Sequence, residues 1–245
     1  MFWYRLIGIL DKNAEVIFMN YGYHKDSDNL HLTTREEPNR YSIHLYHQLV
    51  CNQDIRQKDI LEVGCGRGGG LAYINRQFGP AHAVGLDLDK LAIRFCRKHH
   101  PADGLTFLPG NAHQLPFEDY SFDVVINVES SHRYENVRQF FREVNRILRP
   151  GGLFLITDFR REFLLERFDN DIRSSGLTLI SKEDVTPNVI RAIELDDERR
   201  RNLVTRLAPP FLRRLAFEFA GIKDSDVYTN LRTGGWVYFN YMMKK

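Results

Sequence analysis

The sequence has little that ties it to a particular surface or partner. Its three cysteines, Cys51, Cys65 and Cys96, stand far apart and form no CxxC pair. That spacing excludes a disulfide framework and a cysteine zinc site, and it fits a reducing, cytoplasmic setting. No sign of charge dominates: 34 basic side chains face 32 acidic ones, so nothing draws the chain as a whole to nucleic acid. The basic runs, such as Arg199-Arg200-Arg201, stand beside Asp196, Asp197 and Glu198 and read as solvated helix faces. No apolar run approaches the ~18 residues of a membrane-spanning helix. Internal repeats and low-complexity tracts are also missing. His24, His31, His44 and His47 lack a third ligand at metal-binding spacing, so no metal is expected. The apolar start, MFWYRLIGIL, is too short to span a bilayer, and no small-residue cleavage site follows it. It reads as a helix packed on the core. Peripheral contact with a membrane or a greasy substrate is a second reading.

What is present is rhythm. The 245 residues suit one α/β domain with additions. KDILEVGCG, HAVGLDLD, LTFLPGNA, FDVVINVES and GLFLITDF are short apolar runs that read as strands, some with their exit turns. GGGLAYINRQF, KLAIRFCRKHH and ENVRQFFREVNRIL alternate with them at helical spacing, with Leu91, Phe95 and Lys98 on related faces of the second. The third helix meets the stop signal Arg149-Pro150-Gly151-Gly152. Such alternation predicts an α/β, doubly wound, mostly parallel sheet covered on both faces. The flanks differ. Residues 1–58 predict a helical N-terminal cap and 159–225 a helical lid around a core at 59–158, while 226–245 ends in an alternating aromatic stretch that reads as a terminal strand.

In such a sheet, ligands bind beyond the carboxyl ends of the strands, so the loop LEVGCGRGGG after the first strand is the place to look. Gly64, Gly66 and Gly69 satisfy the dinucleotide pattern GxGxxG, with Asp87 at about the offset of a ribose contact. Glu62 argues otherwise. It gives E-x-G-x-G-x-G through Gly64, Gly66 and Gly68, and a carboxylate there suits a cationic amine better than a pyrophosphate.

LEVGCGRGG, VGLDLD, GNAHQLPF, FDVVINVES and LRPGGLFLITD follow one another over roughly residues 58–158. Together they resemble the class I S-adenosylmethionine-dependent methyltransferases. The flanking stretches FMNYGYHKDSDNLHL, EEPNRYSIHLYHQL, NVESSHRYEN and TPNVIRAIELDDERR are similar to one branch of that family. This branch includes the phthiotriol and phenolphthiotriol dimycocerosate methyltransferases and related polyketide O-methyltransferases. The resemblance implies a Rossmann-like methyltransferase fold of seven strands and S-adenosylmethionine as cofactor.

It also implies roles. Gly64, Gly66 and Gly68 would admit the methionine portion and ribose, with Glu62 near the ligand amine. Asp87 would accept both ribose hydroxyls, which suits a carboxylate. Leu88 would pack on the adenine, Asn111 and Ala112 would address its edge, and Asn111 stands where the family usually has Asp. Asn127 would place its backbone near the methionine end. Tyr21 and Tyr23 match an aromatic that closes over the cofactor.

Transfer of a sulfonium methyl to oxygen requires alignment, exclusion of water and removal of a proton. His132, in the loop after the fourth strand, is the candidate base, with Asp158 and Glu129 to orient it. Flanks rich in Phe, Tyr, Leu and Ile suit a small hydrophobic acceptor that carries a hydroxyl: a lipid, a polyketide or another natural product. Two alternatives remain open at this point. One is transfer to carbon, as in sterol-type enzymes, where Glu129, Tyr21 and Tyr23 would outweigh His132. The other is a binding protein that keeps the fold without catalysis.

Overall fold

The computed structural model describes residues 11, 13–27 and 30–245. The readings of the apolar start therefore lie outside the described residues. The core is one seven-stranded sheet in the order β3-β2-β1-β4-β5-β7-β6. The strands are β1 (Asp59–Val63), β2 (His82–Asp87), β3 (Leu105–Pro109), β4 (Phe122–Val128), β5 (Leu148–Arg161), β6 (Thr178–Asp184) and β7 (Trp236–Lys244). β1 to β5 pair in parallel, and β7 runs antiparallel between β5 and β6.

The expected strands form because their residues are apolar on both faces. Ile60, Leu61 and Val63 of β1 are buried, as are Val124, Val125, Ile126 and Val128 of β4. The helices that cover the faces start and stop as local chemistry dictates. α1 (Arg40–Val50) precedes the sheet, and α2 (Gly69–Phe78) leaves the glycine loop. α3 (Lys90–His99) is capped by Asp89, whose side chain accepts from the Leu91 amide at 2.8 Å. Its core face is Ile93 and Cys96, while Leu91 is exposed. α4 (Val137–Ile147) buries Phe140, Phe141, Val144 and Ile147 and ends just before Arg149-Pro150.

The flanks depart from the helical reading. None of the described residues between 13 and 36 is helical, and α1 is the only α-helix described before the sheet. The 159–225 stretch holds the end of β5 and the whole of β6, as well as α5 (Leu165–Arg173), α6 (Thr186–Leu207) and α7 (Arg213–Ala220). β6 escapes notice because every one of its residues is exposed, so no alternation of apolar side chains marks it. The tail contains α8 (Asp226–Arg232) before the expected strand. No helix among the described residues is long and apolar enough to cross a membrane.

Candidate active site

Strand order reverses between β2-β1 and β4-β5, and a cavity of about 480 Å³ opens beyond the carboxyl ends of β1 and β4. Its size is that of a small-ligand site. The glycine loop forms its floor. Gly64, Gly66 and Gly68 have φ of 79°, 53° and 77°, the left-handed region that a side chain resists. Space is also short: a Cβ on Gly64 would fall 1.9 Å from Ser130 Oγ, and one on Gly70 would fall 1.9 Å from the Tyr46 ring. Gly64 and Gly66 line the cavity together with Gly69 and Gly70, while Gly68 caps α2 from outside it. That helix has no side-chain cap, so its first amides present a positive end to the cavity.

Asp87 stands at the end of β2 on the cavity wall. Its two oxygens accept from the Gly66 and Asp89 amides, each at 2.8 Å, which fixes the carboxylate and leaves one lone-pair direction on each for further donors. Burial pushes its pKa up. Leu88, Asn111 and Ala112 complete this side. The Asn111 side-chain oxygen accepts from the His113 amide at 2.9 Å, which holds the amide group in place.

Glu62 does not face the cavity. It is fully buried beneath the loop, where Oε1 accepts from the Tyr46 hydroxyl at 2.8 Å and Oε2 makes no well-formed hydrogen bond. Burial pushes its pKa to about 7. Tyr46, which does line the cavity, is the link between them. Asn127 is also absent from the lining. Its amide donates to the Val63 carbonyl at 2.7 Å and to the Tyr134 hydroxyl at 3.2 Å, tying β4 to β1. Val128, Glu129 and Ser130, the next three residues, reach the cavity instead.

The N-terminal segment crosses over the top. Ile17, Phe18, Met19 and Asn20 line the cavity, whereas Tyr21 and Tyr23 do not. The Tyr21 ring packs 5.7 Å from Phe159, and Tyr23 meets His44 edge-on at 4.9 Å. The aromatic over the crevice is thus Phe18, three residues before the expected position. The strap is stitched down at several points. Asp11 accepts from Arg67 of the glycine loop at 2.8 Å, Tyr21 N donates to Glu129 at 2.6 Å, and the Tyr21 carbonyl accepts from Arg200 at 2.9 Å.

Phe18, Met19 and Asn20 also wall a second, apolar chamber of about 130 Å³. Leu203, Val204 and Leu207 of α6 and Ala216, Phe219 and Ala220 of α7 form its far side.

His132 lies beside the crevice in the short turn Ser131–Arg133. Its Nδ1 meets Asp158 Oδ1 at 2.8 Å, and its ring packs on Phe159 at 4.4 Å. Asp158 is fully buried. It also accepts from the Ser131 hydroxyl at 2.7 Å and the His132 amide at 2.9 Å, and it pairs with Arg160 at 3.1 Å. Burial alone would raise its pKa, but His132 and Arg160 hold it well below the usual carboxylate range. A carboxylate at Nδ1 fixes the proton there, so Nε2 carries the lone pair, and Arg133 Nε donates to it at 3.2 Å.

Glu129 does not touch this pair. Its Oε1 accepts from Tyr21 N and from the Tyr238 hydroxyl, both at 2.6 Å. Its backbone sits at φ 43°, a strained value for a side chain at the end of a strand. Burial pushes its pKa to about 8. The N-terminal histidines are engaged elsewhere: His47 Nδ1 bonds the Tyr73 hydroxyl at 2.7 Å. Among the described residues, no group of three His, Cys, Asp or Glu side chains is placed to hold a metal.

The residues present suit an amino-acid nucleoside. The floor admits a ligand only because it lacks Cβ atoms, and the Asp87 carboxylate stands on the cavity wall with acceptor capacity left over from its two backbone contacts. No second phosphate-binding side chain beyond Arg67 lies on the glycine loop, and Arg67 is spent on Asp11. Fold and crevice together define a class I S-adenosylmethionine-dependent methyltransferase, and the chain belongs to that family; a methyltransferase domain model matches residues 61–156. Over its whole length the chain is 39% identical to a phthiotriol/phenolphthiotriol dimycocerosates methyltransferase of Mycobacterium tuberculosis, covering 91% of that protein. It is 43% identical to a fatty-acid O-methyltransferase of Mycolicibacterium smegmatis, over 96% of this chain and 85% of that one. Among solved structures, a cyclopropane synthase from Mycobacterium tuberculosis superposes with a TM-score of 0.75 at 14% identity, over 99% of this chain and 98% of that one.

The sequence did not point to Phe18, Met19 or Tyr46. One signal existed for Tyr46: a third consecutive glycine, Gly70, is more than the turn needs and marks a close neighbour.

Proposed function

We propose that this protein transfers a methyl group from S-adenosylmethionine to an oxygen of a lipid or polyketide-like acceptor. Bound in the crevice, the cofactor supplies an electrophilic methyl on a sulfonium. Asp87 holds the ribose hydroxyls, Leu88, Asn111 and Ala112 receive the adenine, and the glycine loop receives the methionine portion. Phe18 and Met19 exclude water from above. The apolar chamber under α6 and α7 takes an alkyl chain, so these helices act as the substrate lid. His132 takes the acceptor's proton at Nε2, and Asp158 keeps the ring oriented and stabilises its charged form. Arg133, which is exposed, yields its contact with Nε2 as the acceptor hydroxyl arrives.

The observation that carries this reading is the His132–Asp158 pair beside the crevice, with Phe159 packed between the His132 ring and Tyr21 of the chamber wall. The names of the two relatives, one a lipid methyltransferase and one a fatty-acid O-methyltransferase, support it. Transfer to carbon is less well served. With a pKa of about 8, Glu129 is largely protonated at neutral pH and offers little negative charge to a carbocation, and neither Tyr21 nor Tyr23 lines the crevice. Three free cysteines, two of them buried, suit work in the reducing cytoplasm.

The test is product analysis. Purified protein, S-adenosylmethionine and a panel of long-chain hydroxy and carboxy lipids should yield S-adenosylhomocysteine and a methyl ether or ester by mass spectrometry. A methyl found on carbon would overturn the oxygen assignment, and S-adenosylhomocysteine affinity without turnover on any member would overturn the lipid acceptor.

A further inference from the structure

Helix α7 is apolar on two sides, and among the described residues only one of them is covered. Ala216, Phe219 and Ala220 wall the apolar chamber. Phe211, in the turn Pro210–Leu212 that leads into the helix, is 82% exposed, and Leu215, one helical turn on, is 55% exposed. No other large apolar side chain among the described residues is as exposed as Phe211. Neither residue lines the chamber, so its filling does not explain them.

The surroundings are basic. Residues 199–223 carry seven Lys or Arg and a single acid, Glu218, in a chain whose net charge is only +2. Four of the seven are neutralised: Arg199 and Arg200 pair with Asp196, Arg201 with Asp197 and Arg206 with Glu15. Three have no carboxylate partner among the described residues. Arg213 donates to the Thr205 and Ala208 carbonyls, and Arg214 and Lys223 are exposed. An apolar tip flanked by uncompensated cations fits the boundary between anionic headgroups and acyl chains.

We propose that residues 209–220 dock on an anionic lipid bilayer, with Phe211 and Leu215 dipping below the headgroups and Arg213 and Arg214 meeting the phosphates. The choice of a bilayer rests on the reading that the acceptor is a lipid. Continuity supports it, because the helix that touches the membrane is the helix that walls the chamber. An acyl chain then passes from bilayer to chamber without crossing water, and Phe18 and Met19 separate it from the cofactor crevice by one layer of side chains.

The experiment is vesicle co-sedimentation of the full chain with phosphatidylcholine alone and with phosphatidylcholine containing phosphatidylglycerol. The wild type should pellet with the anionic vesicles and be released by added salt. R214E should weaken binding about tenfold or more, since it reverses one headgroup contact. The double variant F211S/L215S should lose most vesicle binding while its melting temperature and S-adenosylhomocysteine affinity stay at wild-type values. The proposal fails if the wild type stays in the supernatant with anionic vesicles, or if the double variant pellets as the wild type does. It also fails if the wild type is a dimer on a sizing column and F211S/L215S a monomer, because a second copy then covers the patch. Vesicle binding without methylation of any lipid leaves the docking surface standing and removes the lipid acceptor. Lipid methylation in detergent without vesicle binding does the reverse.

Discussion

The imidazole of His132 and the carboxylate of Asp158 meet at 2.8 Å, Nδ1 to Oδ1, with the carboxylate fully buried and the ring partly open to solvent. The buried partner cannot reach a substrate, so the proposed proton transfer falls to the far side of the ring. Replacing His132 with Ala should lower kcat by about 100- to 10,000-fold, the usual range for a lost general base. Affinity for S-adenosylhomocysteine, read by calorimetry, should stay unchanged, because His132 does not line the crevice. Full turnover in the variant would remove the base assignment.

Asp87 to Asn should separate charge from shape. The amide keeps one acceptor oxygen, while its NH2 faces one of the two backbone amides and offers no lone pair to a ribose hydroxyl. Cofactor affinity should fall by about 10- to 100-fold, in line with the loss of a charge-assisted pair. Calorimetry with S-adenosylhomocysteine is the measurement, and equal affinity would move the ribose elsewhere.

Gly64 to Ala should fail for two reasons at once. The backbone would be strained at φ 79°, and the new Cβ would collide with Ser130 Oγ. Together these should cost about 2–4 kcal/mol in denaturant melts. Adding Ser130 to Gly should return the part due to collision and leave the part due to strain, about 1–2 kcal/mol. No recovery in the double variant would show that the collision relaxes unaided.

Stability should fall as pH rises from about 5 to 8. Glu62 and Glu129 have folded pKa values near 7 and 8, above the ordinary carboxylate value of 4.5. Between 4.5 and those values the folded protein retains protons that the unfolded chain releases, and each group destabilises the fold as pH climbs. For Glu62 the loss is on the order of 3 kcal/mol across that window. Asp158 has the opposite sign: its pKa is depressed, so its contribution is present above about pH 4 and disappears only on strong acidification. Glu62 to Gln and Glu129 to Gln should each flatten the decline in chemical melts. An unchanged slope in both would show that neither carboxyl is held neutral.

Filling the chamber should change chain-length preference. Val204 to Phe places a ring where an alkyl chain is proposed to lie. KM for long-chain acceptors should rise by about tenfold or more, with little change for short ones. A uniform effect on all chain lengths would place the alkyl chain outside this space.

The parallel strands were legible because each is a short, mostly apolar run followed by turn residues or a helical pattern, and the glycine loop because its spacing is local. Asp87, Asn111 and Ala112 fell into place for the same reason: each sits within a few residues of a strand end. What escaped depends on distance along the chain. Tyr46 reaches the crevice from α1 through a hydroxyl aimed at Glu62, and Phe18 arrives on a strap whose course is fixed by Arg67, Glu129 and Arg200. Tyr21 and Tyr23 look like closing aromatics by motif, but backbone anchoring turns their rings away. β6 was hidden because an exposed edge strand with charged residues carries no apolar alternation.

One oxygen of Glu129 joins three segments far apart in the chain, through Tyr21 N and the Tyr238 hydroxyl. Tyr238 belongs to β7, which slides between two strands already made. During synthesis the roof of the crevice therefore waits for residue 238 to emerge and seat itself. A nascent chain halted before that point has the glycine loop but lacks the hydroxyl that fixes Glu129 beneath the strap, so it should leave the ribosome with a weaker hold on its nucleoside.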